Sequence, residues 1–253
     1  MAPLLLILFF FLGALFASFV TVISERVYTG QSWKTGRSKC NSCRKELTAL
    51  DLIPVFSWLV LRGRCRHCGS RLPITYVLTE AVLGTLFALA FGSLGLEPAL
   101  PIMLAALVTL TFVVLYDLRH TVVPLAGSVL LFIFSFLFAL LTSSGSPELG
   151  LSFLSAGLVA LFLFLLYALS QGRAMGLGDA PVALSLALLV GGGQALAGLL
   201  FSFWIGALFG VAILLRRPGG PTMGLEVPFV PFMAAGFLLA YFTQWNPFPF
   251  FAL

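Results

Sequence analysis

Long uninterrupted runs of apolar residues dominate this chain, and its polar residues gather in one early segment and in short gaps between the runs. A helix needs about 20 apolar residues to cross the hydrocarbon core of a bilayer. By that measure the pattern predicts eight membrane-spanning helices, of which the sixth is short. They cover residues 3–23, 74–91, 99–116, 122–141, 150–170, 180–193, 195–215 and 228–243.

The composition supports this interpretation. Only 9% of the 253 residues are charged, and the mean hydropathy is +1.09. Such values are typical of membrane proteins and not of soluble domains. The predicted fold class is therefore an all-α polytopic membrane protein. The first run lacks the basic start and the cleavage site of a signal peptide, so we expect it to remain as a helix.

The polar segment, residues 24–73, is too long for a simple connector between two spans. A segment of this size needs a cross-link, such as a disulfide or a bound metal, to hold a fixed fold. We therefore predict three parts: a first helix over residues 1–23, an insert over residues 24–73 and a seven-helix bundle over residues 74–253.

The basic residues predict the orientation of the spans. Ten of the fourteen Lys and Arg residues lie in the insert, and the others reach the same side if the N-terminus lies outside. The positive-inside rule makes that side the cytoplasm. The net charge of +5 then indicates topology and contact with anionic membrane lipid, and not binding to nucleic acid.

Four cysteines in the insert form two Cys-x2-Cys pairs, Cys40 with Cys43 and Cys65 with Cys68. Each pair can hold one edge of a tetrahedral ion. Cytoplasmic thiols stay reduced, which disfavours disulfides, although redox use remains an alternative. We predict a structural zinc site that folds the insert. His67 lies inside the second pair, and we expect it to be an exposed loop residue.

Two acids stand at the ends of apolar runs. Asp117 closes the third run, and Asp179 opens the sixth directly after Gly176 and Gly178. A carboxylate at membrane depth is costly, so it usually has a function. Two carboxylates that meet can share a proton and act as acid and base on a peptide carbonyl. The glycines would allow a sharp turn and the close approach of a substrate backbone.

Each aspartate also has a simpler interpretation. Asp179 stands where a helix N-cap would stand, and Asp117 could pair with Arg119 or His120. Buried acids relay protons in transporters as well. Both acids lie at span ends among strongly apolar helices, however, which favours a hydrolase over a proton-coupled transporter. An assembly scaffold without activity is disfavoured because both carboxylates are present.

Five segments carry a resemblance to a known family. They are ASFVTVISERV from Ala17, the cysteine-containing residues 38–72, ITYVLTEAVLG, LYDLRHTVVP and MGLGD. In them the chain resembles the type IV prepilin peptidases, which are membrane aspartic proteases of the Gly-x-Gly-Asp kind. The resemblance implies Asp117 and Asp179 as the catalytic pair and a tetracysteine zinc insert.

The same resemblance implies a location in the bacterial inner membrane. The implied substrates are prepilins or pseudopilins, whose basic leader is cut at the cytoplasmic face. It also implies methyl transfer from S-adenosylmethionine to the new N-terminus, and a peptidase without this second activity is the alternative. The chain departs from the family pattern at Arg119 and Leu125, and no lysine follows Asp179. These departures bear on substrate preference more than on reaction type.

The cofactor site is hard to place because no glycine-rich Rossmann fingerprint is present. Gly63, flanked by Arg62 and Arg64, is the predicted cofactor contact, and a plain turn before the second cysteine pair is the alternative. Acids on the cytoplasmic side could receive a basic leader, and the sequence does not choose among them. They are Glu25, Glu46, Asp51, Glu80 and Glu226.

Overall fold

The computed structural model describes residues 2–28, 30, 32, 38–173, 175–216, 227–245 and 247. Every regular element in these ranges is helical, which confirms the predicted all-α class. A short 3-10 helix spans Ala49–Leu52. The α-helices are α1 (Ala2–Tyr28), α2 (Phe56–Val60), α3 (Ile74–Leu94), α4 (Ala99–His120), α5 (Leu125–Thr142), α6 (Ser146–Ser170), α7 (Asp179–Val190), α8 (Gly192–Arg216) and α9 (Val230–Thr243).

Six of these helices are long and apolar enough to cross a membrane, so the chain is a multi-pass membrane protein. They are α1, α3, α4, α5, α6 and α8, and they correspond to six of the eight predicted spans. The other two predictions fall on shorter apolar helices. Helix α7 has 12 residues, which is a length of about 18 Å against a hydrocarbon core of about 30 Å.

Two helix ends differ from the sequence prediction. The predicted spans 180–193 and 195–215 meet at residue 194, but in the structure the break lies at Gly191, whose φ of +83° turns the chain before α8 begins at Gly192. Helix α1 continues beyond residue 23 to Tyr28. Charged side chains with long stems can extend from a helix end toward water, so a polar residue does not by itself end a membrane helix.

The chain divides into two compact units, residues 1–100 and residues 101–253. In the first unit, α1 and α3 approach each other backbone to backbone. A Cβ added at Gly13 would lie 2.6 Å from the Leu83 carbonyl oxygen, and one at Gly84 would lie 2.7 Å from the Phe10 carbonyl oxygen. Small residues allow this close packing between membrane helices, where dispersion contacts replace the hydrophobic effect.

In the second unit, α7 is enclosed by α5, α6, α8 and α9. Ten of its twelve residues are buried, as is expected for a helix that is apolar on all sides. Close contacts also join α8 to α9, because Gly198 faces the Phe237 ring and Gly236 faces Ser202. The short helix α7 is therefore the centre of this unit, and its first residue is Asp179.

The substitution Gly84→Ala tests the contact between α1 and α3. The new methyl group would displace the Phe10 backbone, and overpacking of this kind costs about 1–3 kcal/mol. We expect a lower thermal unfolding midpoint in detergent. The matched control is Gly92→Ala on the same helix, where the nearest atom, Leu6 Cδ2, lies 3.8 Å away. Equal midpoints for the two variants would contradict the close approach.

Candidate functional site

Asp117 lies in the last turn of α4 and is only 4% exposed. Its carboxylate accepts a hydrogen bond from the backbone N–H of Val230. The Oδ2 atom has no hydrogen-bond partner among the described residues. A buried carboxylate oxygen without a donor is costly, so such an atom is expected where a substrate or water supplies the missing partner.

In the first turn of α9, the Val230 N–H has no backbone acceptor and donates to Asp117 instead. Pro231 has no N–H, and the N–H groups of Phe232 and Met233 both donate to the Phe229 carbonyl, at 3.0 and 3.1 Å. The remaining N–H in the first turn is that of Val230. It belongs to the N-terminus of α9, where the free N–H groups of a helix can bind an acceptor.

Asp179 is the first residue of α7 and is 6% exposed. Its Oδ2 accepts the backbone N–H of Gly176 at 3.1 Å, while its own N–H donates to the Gly176 carbonyl at 3.2 Å. The N-cap position belongs to Gly178, and no side chain caps α7. The simple N-cap interpretation of Asp179 is therefore wrong, because its carboxylate bonds back to the glycine loop.

Gly176 and Gly178, the two glycines of this loop, have different surroundings. A Cβ at Gly178 would lie 2.7 Å from Val123 Cβ, in the segment that connects α4 to α5. A Cβ at Gly176 would lie at an ordinary contact distance of 3.6 Å from Asp179 Oδ2. Gly178 thus allows the loop before Asp179 to pack against the segment that follows Asp117.

Asp117 and Asp179 lie close enough in the structure for the charge of one carboxylate to act on the other. They come from the end of α4 and the start of α7, and both are almost fully enclosed. Two carboxylates in such surroundings do not ionise independently, and together they can hold one proton. A pair of this kind can accept and donate protons at the same time.

The four predicted metal ligands also meet. The sulfur atoms of Cys40, Cys43, Cys65 and Cys68 all lie within 4.8 Å of one another, and the Sγ atoms of Cys40 and Cys68 are 3.8 Å apart. Zinc–sulfur bonds of about 2.3 Å place tetrahedral sulfurs about 3.8 Å apart. The cysteine cluster therefore has the dimensions of a four-thiolate zinc site.

The two halves of the cluster have the same backbone pattern. Each cysteine pair lies between bridged residues, Lys39 with Glu46 and Arg64 with Arg71. The N–H groups of Arg44 and Gly69 donate to the carbonyls of Cys40 and Cys65, at 2.9 and 3.0 Å. Both donors have positive φ, 59° and 70°. This turn directs both cysteines of a pair toward the same point.

The surrounding N–H groups favour thiolates. Those of Cys43 and Ser42 lower the pKa of Cys40 to about 6. At Cys43 the Lys45 N–H lowers the pKa, but burial and the neighbouring sulfurs outweigh it and raise the value to about 11. The close sulfurs thus disfavour a negative charge on Cys43 as long as no cation lies among them.

Asp51 ties the two halves of the insert together. Its carboxylate accepts the Thr48 hydroxyl at 2.7 Å and the Arg66 Nε–H, also at 2.7 Å. These two donors lower the pKa of Asp51 to about 2, so it is ionised at neutral pH. Arg66 lies between Cys65 and His67, so the bond fixes the second cysteine pair. His67 is exposed, which confirms that prediction.

The other acids proposed to receive a leader are placed as follows. Glu46 forms an exposed ion pair with Lys39 at 3.6 Å. Glu25 accepts the Tyr76 hydroxyl at 3.0 Å, and Glu80 accepts the Val55 N–H at 2.7 Å. Glu226 lies outside the described residues.

Packing against Trp58 explains the glycine at position 63, the predicted cofactor contact. Its φ is +66°, and a Cβ there would lie 2.8 Å from Trp58 Cζ2. The glycine is thus required by the turn and by the indole ring beside it. The plain turn that the sequence left as an alternative describes this geometry.

The contacts of Val230 with Asp117 and of Val123 with Gly178 were missed by the sequence prediction. Each joins segments that are distant along the chain, and the residues concerned are ordinary apolar ones. A signal for the first contact did exist. Pro231 occupies a position typical of the first turn of a helix, and a helix N-terminus is a favourable place for a carboxylate.

The fold and the site together define a multi-pass membrane protein with a buried carboxylate pair and a four-cysteine cluster. Residues 11–94 match the bacterial peptidase A24 N-terminal domain, and residues 102–211 match the type IV leader peptidase family. No solved structure matches the chain.

Curated relatives extend the match over most of the chain. The prepilin leader peptidase/N-methyltransferase of Bacillus subtilis strain 168 is 34% identical over 243 residues, which is 94% of each chain. The protein of the same name from Myxococcus xanthus is 31% identical, over 84% of this chain and 64% of the relative. The Aeromonas hydrophila protein is 33% identical, over 78% and 68%. The chain therefore belongs to the type IV prepilin leader peptidase/N-methyltransferase family.

The substitution Cys40→Ser tests the metal centre. If the cluster holds about one zinc ion per chain, loss of one thiolate opens the tetrahedral shell, so we expect the purified variant to contain little or no zinc. Metal analysis by mass spectrometry measures this directly. The matched control is His67→Ala, which changes an exposed residue of the same loop and is expected to keep the metal. Unchanged zinc in Cys40→Ser would contradict the assignment.

Proposed function

We propose that this chain is a membrane aspartic endopeptidase that removes the basic leader of type IV prepilins or pseudopilins, with Asp117 and Asp179 as its catalytic pair. The observation that carries the proposal is the enclosure of these two carboxylates in one electrostatic neighbourhood. Membership in a peptidase family supports it and argues against a proton-coupled transporter or an inactive scaffold.

The chemistry follows from a pair that holds one proton. The ionised carboxylate takes a proton from a water molecule, whose oxygen attacks the scissile carbonyl carbon. The protonated carboxyl donates to the carbonyl oxygen. When the tetrahedral intermediate collapses, the bond between carbon and nitrogen breaks and the nitrogen takes up a proton from the pair. One hydroxyl of the intermediate returns its proton, so the pair again holds one proton. The leader leaves with a new carboxylate, and the mature protein has a free amine at its N-terminus.

Two backbone donors keep the pair in place during this cycle. The Val230 N–H holds the Asp117 carboxylate and leaves its Oδ2 atom available. The Gly176 N–H holds Asp179 Oδ2. Donors that belong to helix ends and to a packed loop need little reorganisation as charge develops, which is the property that catalytic electrostatics requires.

We propose further that α7 and α9 also lie in the membrane, which gives the eight helices predicted from the sequence. An outside N-terminus then places the ten basic residues of the insert on the cytoplasmic side of a bacterial inner membrane. Because α7 is only about 18 Å long, Asp179 at its first residue can lie below the membrane surface, where water enters from the cytoplasm.

In this scheme residues 24–73 are a cytoplasmic domain, flanked by the first helix and by the bundle of residues 74–253. We assign zinc to its four cysteines, with a structural role. Four thiolates close the coordination shell, so no position remains for a substrate. The dimensions of the cysteine cluster and the thiolate-favouring N–H groups support this assignment.

We also propose that the enzyme N-methylates the new N-terminus. The support is the name that its relatives carry, prepilin leader peptidase/N-methyltransferase. S-adenosylmethionine would supply an electrophilic methyl group to the free amine. The nearby Trp58 ring already explains why residue 63 is a glycine. A contact between Gly63 and the cofactor stays a prediction. A peptidase without methyltransferase activity is the alternative.

The substitutions Asp117→Asn and Asp179→Asn test the pair. Each removes a group that must gain or lose a proton, so we expect cleavage of a prepilin in detergent to fall by at least about 100-fold. Zinc content and unfolding midpoint should be unchanged. Glu148→Gln is the matched control, since its carboxylate bonds only to Ser144 in the described structure. Near-normal cleavage by either aspartate variant would rule out the pair.

Methyl transfer is tested with the same assay run with and without S-adenosylmethionine, and the mature N-terminus is measured by mass spectrometry. We expect the cleaved product to gain the mass of one methyl group only when the cofactor is present. A cleaved product that is never methylated would establish the alternative, a peptidase alone.

A further inference from the structure

The middle of the insert exposes an unusual amount of apolar surface. Residues 49–60 comprise the 3-10 helix and α2, and we call them the apolar segment. Leu50 is 64% exposed, and Phe56 and Leu59 are both 59% exposed. Ile53 and Val60 are exposed as well. Contiguous apolar surface of this kind marks an interaction site and not an ordinary water-facing loop.

Hydrogen bonds place this segment beside the membrane helices and not above them. The N–H of Val55 donates to Glu80 Oε2 at 2.7 Å, and the Ser18 hydroxyl also bonds Glu80. Glu80 is six residues beyond Ile74, the start of α3, which is about 9 Å along the axis. Ser18 lies well inside α1. Since α1 and α3 are both candidate spans, the turn at Val55 reaches the depth of the membrane.

The backbone of this turn suits an environment without water. Pro54 has no N–H, and the N–H groups of Phe56 and Ser57 donate to the carbonyls of Pro54 and Ile53, at 2.6 and 3.0 Å. The remaining N–H, that of Val55, is the one that Glu80 accepts. Irregular backbone is tolerated at membrane depth only where its polar groups are satisfied in this way.

Val55 itself adopts a costly conformation. Its φ is +61°, a region that β-branched residues rarely enter. Such a conformation persists only where the surroundings enforce it. Two bonds hold Val55 in this conformation: its own N–H donates to Glu80, and the Phe56 N–H donates to the Pro54 carbonyl across the turn. The first bond also gives the Glu80 carboxylate a donor at membrane depth.

The charges beside the apolar segment indicate what covers it. Arg62 and Arg64 follow it directly and are exposed, and the one acid within it, Asp51, is paired with Arg66. Exposed apolar side chains flanked by bases are typical of segments that lie at the boundary between acyl chains and anionic headgroups.

We propose that the apolar segment, residues 49–60, is a re-entrant element: it enters the nearer lipid leaflet and leaves it on the same side. Glu80 holds the segment there by accepting the Val55 N–H. The occupant of its exposed face is lipid acyl chain, and the flanking bases contact anionic headgroups. The inference stands on the first unit alone and is independent of the peptidase activity.

The test adds a tryptophan to the full chain by Leu59→Trp and reconstitutes it in vesicles of phosphatidylethanolamine and phosphatidylglycerol. Lipids brominated in the acyl chain and aqueous acrylamide serve as the two quenchers, and the emission of the unmodified protein is subtracted. Lys45→Trp, at an exposed position of the same insert, is the control. We expect bromolipid to quench Leu59→Trp more strongly than Lys45→Trp, by about twofold or more, and acrylamide to show the reverse order.

Quenching of Leu59→Trp by acrylamide alone would overturn the proposal, because the segment would then face water. Protection from both quenchers would overturn it too, because protein and not lipid would cover the face.

The role of Glu80 is tested by adding Glu80→Ala to Leu59→Trp, with Glu80→Gln as the variant that keeps an oxygen acceptor. We expect only Glu80→Ala to transfer Leu59→Trp from lipid to acrylamide quenching, with zinc content unchanged. Bromolipid quenching that survives Glu80→Ala would remove Glu80 from the proposal.

Discussion

The burial of Asp117 and Asp179 close to each other is the constraint on which the chemistry of the second unit depends. Burial removes the water that would otherwise stabilise both charges, so the protein must hold the pair together by other means. It uses two backbone N–H groups, from Val230 and Gly176. Each belongs to an element whose position is fixed by packing. The pair is thus a property of the whole helix arrangement and not of two residues alone.

The helices around the pair show how that arrangement is reached. Helix α7 is short and enclosed on all sides, so Asp179 is placed by the core itself. Helix α9 begins at Val230, and Pro231 leaves one N–H to donate. Aromatic contacts of Phe229 with Phe203 and of Phe232 with Phe209 hold that helix start against α8. A change at any of these contacts would therefore alter the position of Asp117.

The sequence was sufficient for the parts of this structure that depend on local pattern. Apolar runs located the long spans, and the spacing of Cys40, Cys43, Cys65 and Cys68 predicted the four-cysteine cluster, because each signal lies within one segment. Contacts between distant segments gave no such signal. The donor to Asp117 is a backbone N–H, which any residue except proline can supply, so no residue type could reveal it.

The acids of the insert illustrate the same limit. In the sequence, Asp51 and Glu80 were two of several carboxylates that could receive a basic leader. In the structure each has a different task, since Asp51 binds Arg66 and Glu80 accepts the Val55 N–H. Both tasks follow from how the insert folds between the two cysteine pairs. A list of charged residues cannot distinguish an acid that stabilises a turn from one that binds a substrate.

The central claim is that the aspartate pair activates water and does not attack the substrate itself. A single turnover in water enriched in oxygen-18, with enzyme in excess over prepilin, tests it most directly. The account predicts one heavy oxygen in the new carboxylate of the released leader and none in the enzyme peptides that contain Asp117 or Asp179. Heavy oxygen in either aspartate, with an unlabelled leader, would contradict it.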